Sequence, residues 1–264
     1  MSVSTGQENG CECAPNIVND QSAMTLPLSR LRYVTVEGCI GVGKTTLTHL
    51  LTRHLNARPV LEIVEENPFL PDFYKDQVAH AFKTQMFFLL SRFKQQEALL
   101  QADLFEGDGV VVSDYLFAKD RIFAELTLSP SEMGLYNQIF NALSHRIRKP
   151  DLVIYLHAPM DVILARIARR GRSFEKDIDR GYLESLVDAY SRFFTDFVDA
   201  PVLMIDTTDL NFPERKGDLD VVFDTLKHFP DAVVDDGQRR RLTLTSRPST
   251  SPPMPSKPTQ QPLL

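Results

Sequence analysis

The sequence predicts a doubly wound α/β domain in which about five parallel strands are flanked by helices. Short apolar, largely β-branched runs recur along the chain, as expected for strands that are buried on both faces of a sheet. They lie at residues 33–37, 60–64, 110–114, 152–157 and 202–206. Segments with helical apolar spacing lie between them, at residues 72–104, 135–147 and 182–197. A glycine-rich loop follows the first strand and precedes a helix, which is the context in which such loops bind phosphate groups.

The helical segments carry their own boundary signals. Residues 72–104 have room for two helices, and the run from Gln85 to Phe93 is apolar on one face. Pro130 after Ser129 predicts the start of a helix, because serine caps helices and proline fits their first turn.

Composition divides the chain into one folded domain and two tails. Residues 1–30 are polar and have no clear period. Residues 235–264 contain an arginine triplet and a run rich in Pro, Ser and Thr, with six of the 17 prolines between Pro248 and Pro262. Such segments do not bury enough apolar surface to fold, so we predict two disordered tails. Residues 31–234 are predicted to form a single α/β domain with a substantial core.

Charge and hydropathy exclude several function classes. The net charge of -6 argues against nucleic-acid binding by the domain as a whole. No apolar run approaches the roughly 20 residues that span a bilayer, and the first residues lack the apolar core of a signal peptide. The three cysteines (Cys11, Cys13 and Cys39) do not have the spacing of a zinc site or a disulfide framework. We therefore expect a cytoplasmic protein that does not act on membranes.

The glycine-rich loop is the most specific motif in the chain. Its residues are Gly38, Cys39, Ile40, Gly41, Val42, Gly43, Lys44, Thr45 and Thr46. Its glycines let backbone N–H groups curl around phosphate oxygens, and the helix that follows adds the positive end of its dipole. Lys44 can bridge the outer phosphates, and the hydroxyl of Thr45 can be a ligand of Mg²⁺. The loop therefore predicts binding of a nucleoside triphosphate.

Two carboxylates lie where the carboxyl ends of the predicted strands meet the ligand crevice. Asp114 ends the third predicted strand, where proteins with this loop hold Mg²⁺ directly or through water. It could instead cap the helix that follows. Glu62 belongs to the second predicted strand and could reach an acceptor hydroxyl, or it could be a solvated acid in a loop. The division of roles between a catalytic base and a metal-linked acid stays open for this pair.

An arginine cluster follows the fourth predicted strand. Four arginines fall within seven residues: Arg166, Arg169, Arg170 and Arg172. Like charges so close together repel one another unless an anion is near, so the segment could close over phosphates as a lid. The alternative is a surface helix with exposed charges.

These motifs together resemble the deoxynucleoside kinase family over about residues 32–212. The resemblance is carried by the segments 38–46, 62–70, 72–76, 114–124 and 166–175, and by Gln85 with Arg92. The elements Asn67-Pro68-Phe69-Leu70 and Phe73-Tyr74-Lys75-Asp76 are most similar to the bacterial deoxyadenosine/deoxyguanosine kinase branch. The resemblance implies a P-loop kinase-type sheet with an arginine-rich lid, and a homodimer.

The resemblance also implies roles on the acceptor side. Glu62 matches the carboxylate beside the 5′-hydroxyl of the sugar, the candidate general base. Tyr74 and Glu175 match the pair that binds the 3′-hydroxyl. The residues matched to the reading of the base are Gln85, Arg92 and Asp120. They suit adenine, guanine or cytosine better than thymine.

On the donor side, Arg170 and Arg172 match the lid arginines that contact the phosphates, with Arg166 nearby. The loop that packs on the adenine of ATP matches Asp209, Asn211 and Phe212. Thr45 and Asp114 are the expected Mg²⁺ residues. The expected catalytic set is Lys44, Glu62, Asp114, Arg170 and Arg172.

One position departs from the family pattern. The family often has Arg after the acid that ends the third strand, and here Asp114 is followed by Tyr115. We count Tyr115 among the expected substrate-binding residues. The positive charge that Arg would supply must then come from elsewhere, such as the lid.

The resulting expectation is ATP-dependent, Mg²⁺-dependent phosphorylation of the 5′-hydroxyl of a deoxynucleoside in nucleoside salvage, with deoxyadenosine or deoxyguanosine as the acceptor. A thymidylate-type nucleotide kinase is the nearest alternative, although it needs arginines around an acceptor phosphate and no base. A GTP-binding switch would need Asp-x-x-Gly and Asn-Lys-x-Asp segments, and the chain contains neither. A nucleotide-binding module without catalysis is the remaining alternative.

Overall fold

Six parallel strands form the central sheet in the computed structural model, which describes residues 31–106, 109–176, 178–212, 214–227 and 241–244. The strands are β1 (Tyr33–Gly38), β2 (Arg58–Val60), β3 (Val111–Ser113), β4 (Leu152–His157), β5 (Val202–Asp206) and β6 (Arg241–Leu244). Their order across the sheet is β2-β3-β1-β4-β5-β6. The doubly wound α/β prediction is thus confirmed, with one more strand than expected. The order reverses beside β1, and a ligand crevice is expected at such a switch point.

Helices cover the sheet. They are α1 (Lys44–Leu55), α2 (Leu70–Phe73), α3 (Gln77–Glu106), α4 (Asp120–Thr127), α5 (Pro130–Ser144), α6 (Met160–Arg170), α7 (Arg180–Asp196) and α8 (Lys216–Lys227). The segment 72–104, which has room for two helices, is mostly the single long helix α3, and the short α2 overlaps only its first two residues. The predicted start at Pro130 is confirmed, because Ser129 and Glu132 form a capping box ahead of α5.

The apolar strand residues form the core between these layers. Val36, Val112, Ile154 and Leu203 are fully buried in it. A second apolar cluster, which includes Leu89 and Tyr136, joins α3, α4 and α5 beside the sheet. None of the helices in the described ranges is long and apolar enough to cross a membrane.

The second strand is shorter and earlier than the predicted 60–64. Asp114 explains why, because its backbone N–H donates to the carbonyl of Val60 and its Oδ1 accepts from the backbone N–H of Glu62. The backbone N–H of Glu62, which would continue the backbone pairing of β2 with β3, thus bonds to the Asp114 side chain instead. Glu62 lies in the loop after β2, not in a strand.

The sixth strand corrects the prediction for the C-terminal tail over four residues. Residues 241–244 pair in parallel with β5, from Arg241 beside Val202 to Leu244 beside Ile205. The prediction rested on composition, whereas the open edge of β5 offers main-chain hydrogen bonds that do not depend on it. The rest of both predicted tails lies outside the described residues, so their bounds stay predictions.

Candidate active site

The glycine-rich loop at the end of β1 is held against its neighbours by close backbone contacts. Gly38, Gly41 and Gly43 all have positive φ angles, of 149°, 82° and 111°. A Cβ atom at Gly38 would lie 2.3 Å from the carbonyl oxygen of Leu156, and one at Gly41 would lie 2.6 Å from Ile167. Both the backbone conformation and the space at these positions therefore require glycine.

Lys44 lies across the loop that precedes it. Its Nζ donates to the carbonyl oxygens of Gly38, at 2.8 Å, and Cys39, at 3.1 Å. Burial lowers the pKa of Lys44, and the nearby charge of Lys119 lowers it further. Because its donors rest on neutral carbonyls, an incoming phosphate can attract them without breaking an ion pair.

Asp114 joins the donor loop to the segment after β2. The hydroxyl of Thr45 donates to Asp114 Oδ2 at 2.6 Å, and the backbone N–H of Glu62 donates to Oδ1, also at 2.6 Å. The alternative of a helix cap is not supported, since α4 begins only at Asp120. A hydroxyl and a carboxylate side by side suit Mg²⁺, which takes one or two protein oxygens and completes its shell with water and phosphate.

Glu62 is held by two cations, one on each oxygen. Arg92 donates to Oε1 through Nε, at 2.9 Å, and through a second guanidinium nitrogen. Lys119 donates to Oε2 at 2.9 Å. Burial alone would raise the pKa of this carboxyl, but the charges of Lys119 and Arg92 outweigh it and hold the pKa well below its usual range. Glu62 is therefore ionised at neutral pH.

Asp120 lies behind Arg92 instead of lining the cavity. It is fully buried, accepts from Arg92 through Oδ1, and accepts from the hydroxyl of Tyr136 at 2.9 Å through Oδ2. Gln85 does line the cavity, and its buried Oε1 has no hydrogen-bond partner among the described residues. Of the three residues expected to read the base, two therefore line the cavity and Asp120 fixes one of them.

The lid segment begins in the last turns of α6, continues beyond its end and contacts the same cavity. Arg170 donates to both oxygens of Glu175, at 3.0 and 2.6 Å, while Arg172 pairs with Glu65 at 2.6 Å. The ring of Tyr74 lies parallel to that of Phe174 in the lid, with the centroids 6.4 Å apart. The pair expected at the 3′-hydroxyl, Tyr74 and Glu175, thus lines one cavity together with the lid.

Arg166 has a different environment from the other lid arginines. It donates to the carbonyl of Val42 at 3.2 Å and to the carbonyls of Thr207 and Leu210, at 2.6 and 3.2 Å. It therefore links the phosphate loop to the loop after β5 and does not line the cavity. In that second loop, Phe212 is buried in the core.

A cavity of about 200 Å³ brings together residues from both the donor and the acceptor parts of the expected site. From the expected set it is lined by Ile40, Lys44, Thr45, Glu62, Tyr74, Gln85, Arg92, Asp114, Arg170, Arg172 and Glu175. Tyr115, Asp120, Arg166, Asp209, Asn211 and Phe212 do not line it. The side chain of Tyr115 is fully buried next to the site and does not line the cavity, so its expected contact with the substrate stays a prediction.

Two residues at the site have no assigned role in the sequence analysis. Lys119 ends a 3₁₀ turn, Phe117–Lys119, and lines the cavity. Glu37, at the end of β1, accepts from the backbone N–H groups of Gly38 and Leu116 at 2.8 and 2.7 Å. The sequence does contain a feature that could have indicated each residue. Lys119 is a lysine in the otherwise apolar stretch between Asp114 and Asp120, and Glu37 is an acid at the end of a strand predicted to be buried.

Comparisons with known proteins identify the family of the chain. A family model described as deoxynucleoside kinase matches residues 34–229. Deoxyguanosine kinase from Bacillus subtilis is 38% identical over 192 residues, which cover 71% of this chain and 92% of that protein. Deoxyadenosine/deoxycytidine kinase from the same organism is 31% identical over 214 residues, covering 78% and 95%.

Solved structures give the same result for the fold. Deoxyadenosine kinase from M. mycoides with bound dATP superposes with a TM-score of 0.64 at 28% identity, covering 74% of this chain and 98% of that chain. The P-loop kinase-type architecture inferred from the sequence is thereby confirmed. The chain belongs to the deoxynucleoside kinase family.

Proposed function

We propose that the protein transfers the terminal phosphoryl group of ATP to the 5′-hydroxyl of a purine deoxynucleoside, either deoxyguanosine or deoxyadenosine. One observation carries the proposal: the carboxylate of Glu62 and the phosphate-loop residues Lys44 and Thr45 line one cavity. A donor phosphate on the loop and a hydroxyl beside Glu62 would therefore meet. The similar proteins named above support the acceptor class, since their names include deoxyguanosine and deoxyadenosine.

The contacts of the two carboxylates support separate roles for them. Among the described residues, the carboxylate of Asp114 accepts from the hydroxyl of Thr45 and the backbone N–H of Glu62 and forms no ion pair, which suits it to Mg²⁺. When bound, Mg²⁺ neutralises charge on the phosphate oxygens. Glu62 carries two cations and faces the acceptor end, which suits it to orient the hydroxyl and take its proton. A weakly basic carboxylate is adequate if the transition state is loose, because the proton then leaves late.

The acceptor end of the cavity supports a purine base. Gln85 presents a buried acceptor oxygen, and Arg92 presents N–H donors whose direction is fixed by Asp120. Together they can pair with the exocyclic amine and a ring nitrogen or carbonyl of a purine. Tyr74 and Glu175 would bind the 3′-hydroxyl, so that a nucleoside lacking it leaves buried polar groups unpaired.

A phosphorylation assay across the four deoxynucleosides, with ATP and GTP as donors, tests this function. We expect turnover of deoxyguanosine or deoxyadenosine that requires Mg²⁺, and no turnover of the corresponding monophosphates. Preferred phosphorylation of a monophosphate would instead support the thymidylate-type alternative. Binding of ATP without transfer to any nucleoside would support a non-catalytic module.

We also propose a cytoplasmic homodimer, which the family resemblance and the cysteine usage support. Leu90 on α3 and Leu135 on α5 are 45% and 49% exposed and could contribute to such an interface. Gel filtration with light scattering tests the assembly. A monomer at micromolar concentration would contradict it.

A further inference from the structure

Lys119 is a buried cation that faces the candidate active site. Its side chain is only 2% exposed, yet it lines the cavity that holds Lys44 and Glu62. A buried ammonium group is costly unless carboxylates compensate for the lost hydration. Its two carboxylate partners are Glu62, at 2.9 Å, and Glu37, at 3.9 Å. The negative charges of these two carboxylates therefore account for the burial of Lys119 at this position.

Glu37 does not depend on Lys119 for its hydrogen bonds. Its two oxygens already accept from the backbone N–H groups of Gly38 and Leu116 and from the hydroxyl of Tyr190, at 2.8, 2.7 and 3.1 Å. The 3.9 Å separation from Lys119 is too long for a hydrogen bond. The direct partner of Lys119 is therefore Glu62, the acid that faces the cavity.

Arg92 and Lys119 each bind one oxygen of the Glu62 carboxylate. Arg92 is also bound to Asp120, so much of its charge is already compensated there. The buried group of Glu37, Glu62 and Asp120 carries three negative charges against the two positive charges of Arg92 and Lys119. Without Lys119, Arg92 would be the single cation of this group against three acids, with Lys44 as a further cation nearby, next to a site for a polyanionic triphosphate.

Position 115 does not supply the missing charge. Tyr115 follows Asp114 directly, but its side chain is neutral, fully buried and absent from the cavity wall. The 3₁₀ turn that ends at Lys119 brings a cation to Glu62 from four residues further along the chain.

We propose that Lys119 is a positioning residue for phosphoryl transfer, fixing Glu62 Oε2 beside the acceptor hydroxyl and supplying the positive charge that position 115 lacks. The proposal rests on the proposed role of Glu62 at the acceptor. Lys119 acts through Glu62, so its contribution disappears when the carboxylate is removed.

A double-mutant cycle between the two residues tests this dependence. Lys119→Met is expected to lower kcat on the order of 10- to 100-fold, the coupling found between groups in direct contact, with the KM for ATP changed less than about threefold. In a Glu62→Gln background the same substitution should cost less than about threefold. Lys149→Met, which removes an exposed lysine paired with Asp199, is the matched control and should leave kcat unchanged.

Chemical rescue separates positioning from a merely structural role. Lys119→Ala leaves a space that n-propylamine fills, so the added amine should restore part of kcat while an uncharged alcohol of equal size should not. Thermal unfolding checks that each variant is folded, and Lys119→Gln replaces any variant that is not. Equal losses in both backgrounds, or no rescue by the amine, would overturn the proposal. Unchanged turnover of Glu62→Gln alone would instead refute the role of Glu62.

Discussion

The donor and acceptor halves of the cavity are built in different ways. The core of the donor half is one contiguous loop, residues 38–46, whose charged residue Lys44 rests on backbone carbonyls. The expected lid arginines, Arg170 and Arg172, are added to it from the end of α6 and the segment that follows. The acceptor half is assembled from separate segments whose charged side chains rest on one another, as Glu62, Arg92 and Asp120 do. A substitution in the donor half should therefore affect only the residue that is changed. A substitution in the acceptor half should also leave the charges of neighbouring residues uncompensated. Measuring both kcat and the free energy of unfolding for substitutions in each half can test this difference.

The largest expected effect is on turnover when the acceptor carboxylate is neutralised. Glu62→Gln removes the acceptor of the hydroxyl proton, so kcat should fall by about 10² to 10⁴. The affinity for ATP should change much less, because the hydrogen bonds of the Glu62 carboxylate run to Arg92 and Lys119, which lie outside the phosphate loop. Steady-state kinetics and ATP titration measure the two quantities. Turnover close to that of the wild type would make Asp114 the candidate base.

The same contrast between the two halves explains which site residues can be predicted from the sequence. The donor site is predictable from a few adjacent residues, because its chemistry lies in the backbone of one loop. The position of Glu62 in the sequence left its role open, Arg92 was assigned only through a family resemblance, and Lys119 had no assigned role. Lys119 lies 57 residues from its partner Glu62, a separation that no local pattern records. The orientation of Tyr115 could not be predicted for the same reason, since adjacency to Asp114 does not show which way a side chain points.

The fold shows a similar division. The strands β1, β3, β4 and β5 follow from their apolar runs, with bounds that differ from the prediction by no more than one residue at either end. In contrast, β2 ends early because the side chain of Asp114 takes a backbone amide, and β6 depends on a free sheet edge. Both depend on tertiary contacts and not on local periodicity.

The next largest effect is on stability when one charge of the acceptor half is removed. Asp120→Ala deprives Arg92 of a fully buried partner, so the free energy of unfolding should fall by about 3 to 5 kcal/mol. Urea denaturation measures it. The matched control is Asp199→Ala, which breaks the exposed pair with Lys149 and should cost less than about 1 kcal/mol. Equal losses for the two variants would mean that the acceptor charges are not coupled.

The donor half should show the opposite pattern. Lys44→Met removes the cation aimed at the phosphates, and kcat should fall by about 10² to 10³. The free energy of unfolding should change by no more than about 1 kcal/mol, because Lys44 donates to neutral carbonyls and its loss removes no ion-pair hydrogen bond. Kinetics and urea denaturation on one preparation give both numbers. A loss of stability as large as that of Asp120→Ala would show that the two halves are one coupled unit.

The smallest expected effect comes from the capping box of α5, a second contiguous device that lies outside the cavity. Ser129→Ala removes the hydroxyl that donates to Glu132 at 2.6 Å, and should cost about 0.5 to 2 kcal/mol of stability while leaving kcat unchanged.

The same capping box should make stability depend on pH. Hydrogen bonds from Ser129 lower the pKa of Glu132 in the folded state. The stabilisation is therefore complete above the unfolded pKa of about 4.3 and is lost as the pH falls through the lower folded pKa. The stability difference between wild type and Glu132→Gln should shrink correspondingly in acid, as urea denaturation at pH 7 and in acid would show. A change in kcat for Ser129→Ala would mean that contiguous devices in this fold are not local, and the contrast between the two halves would then need another explanation.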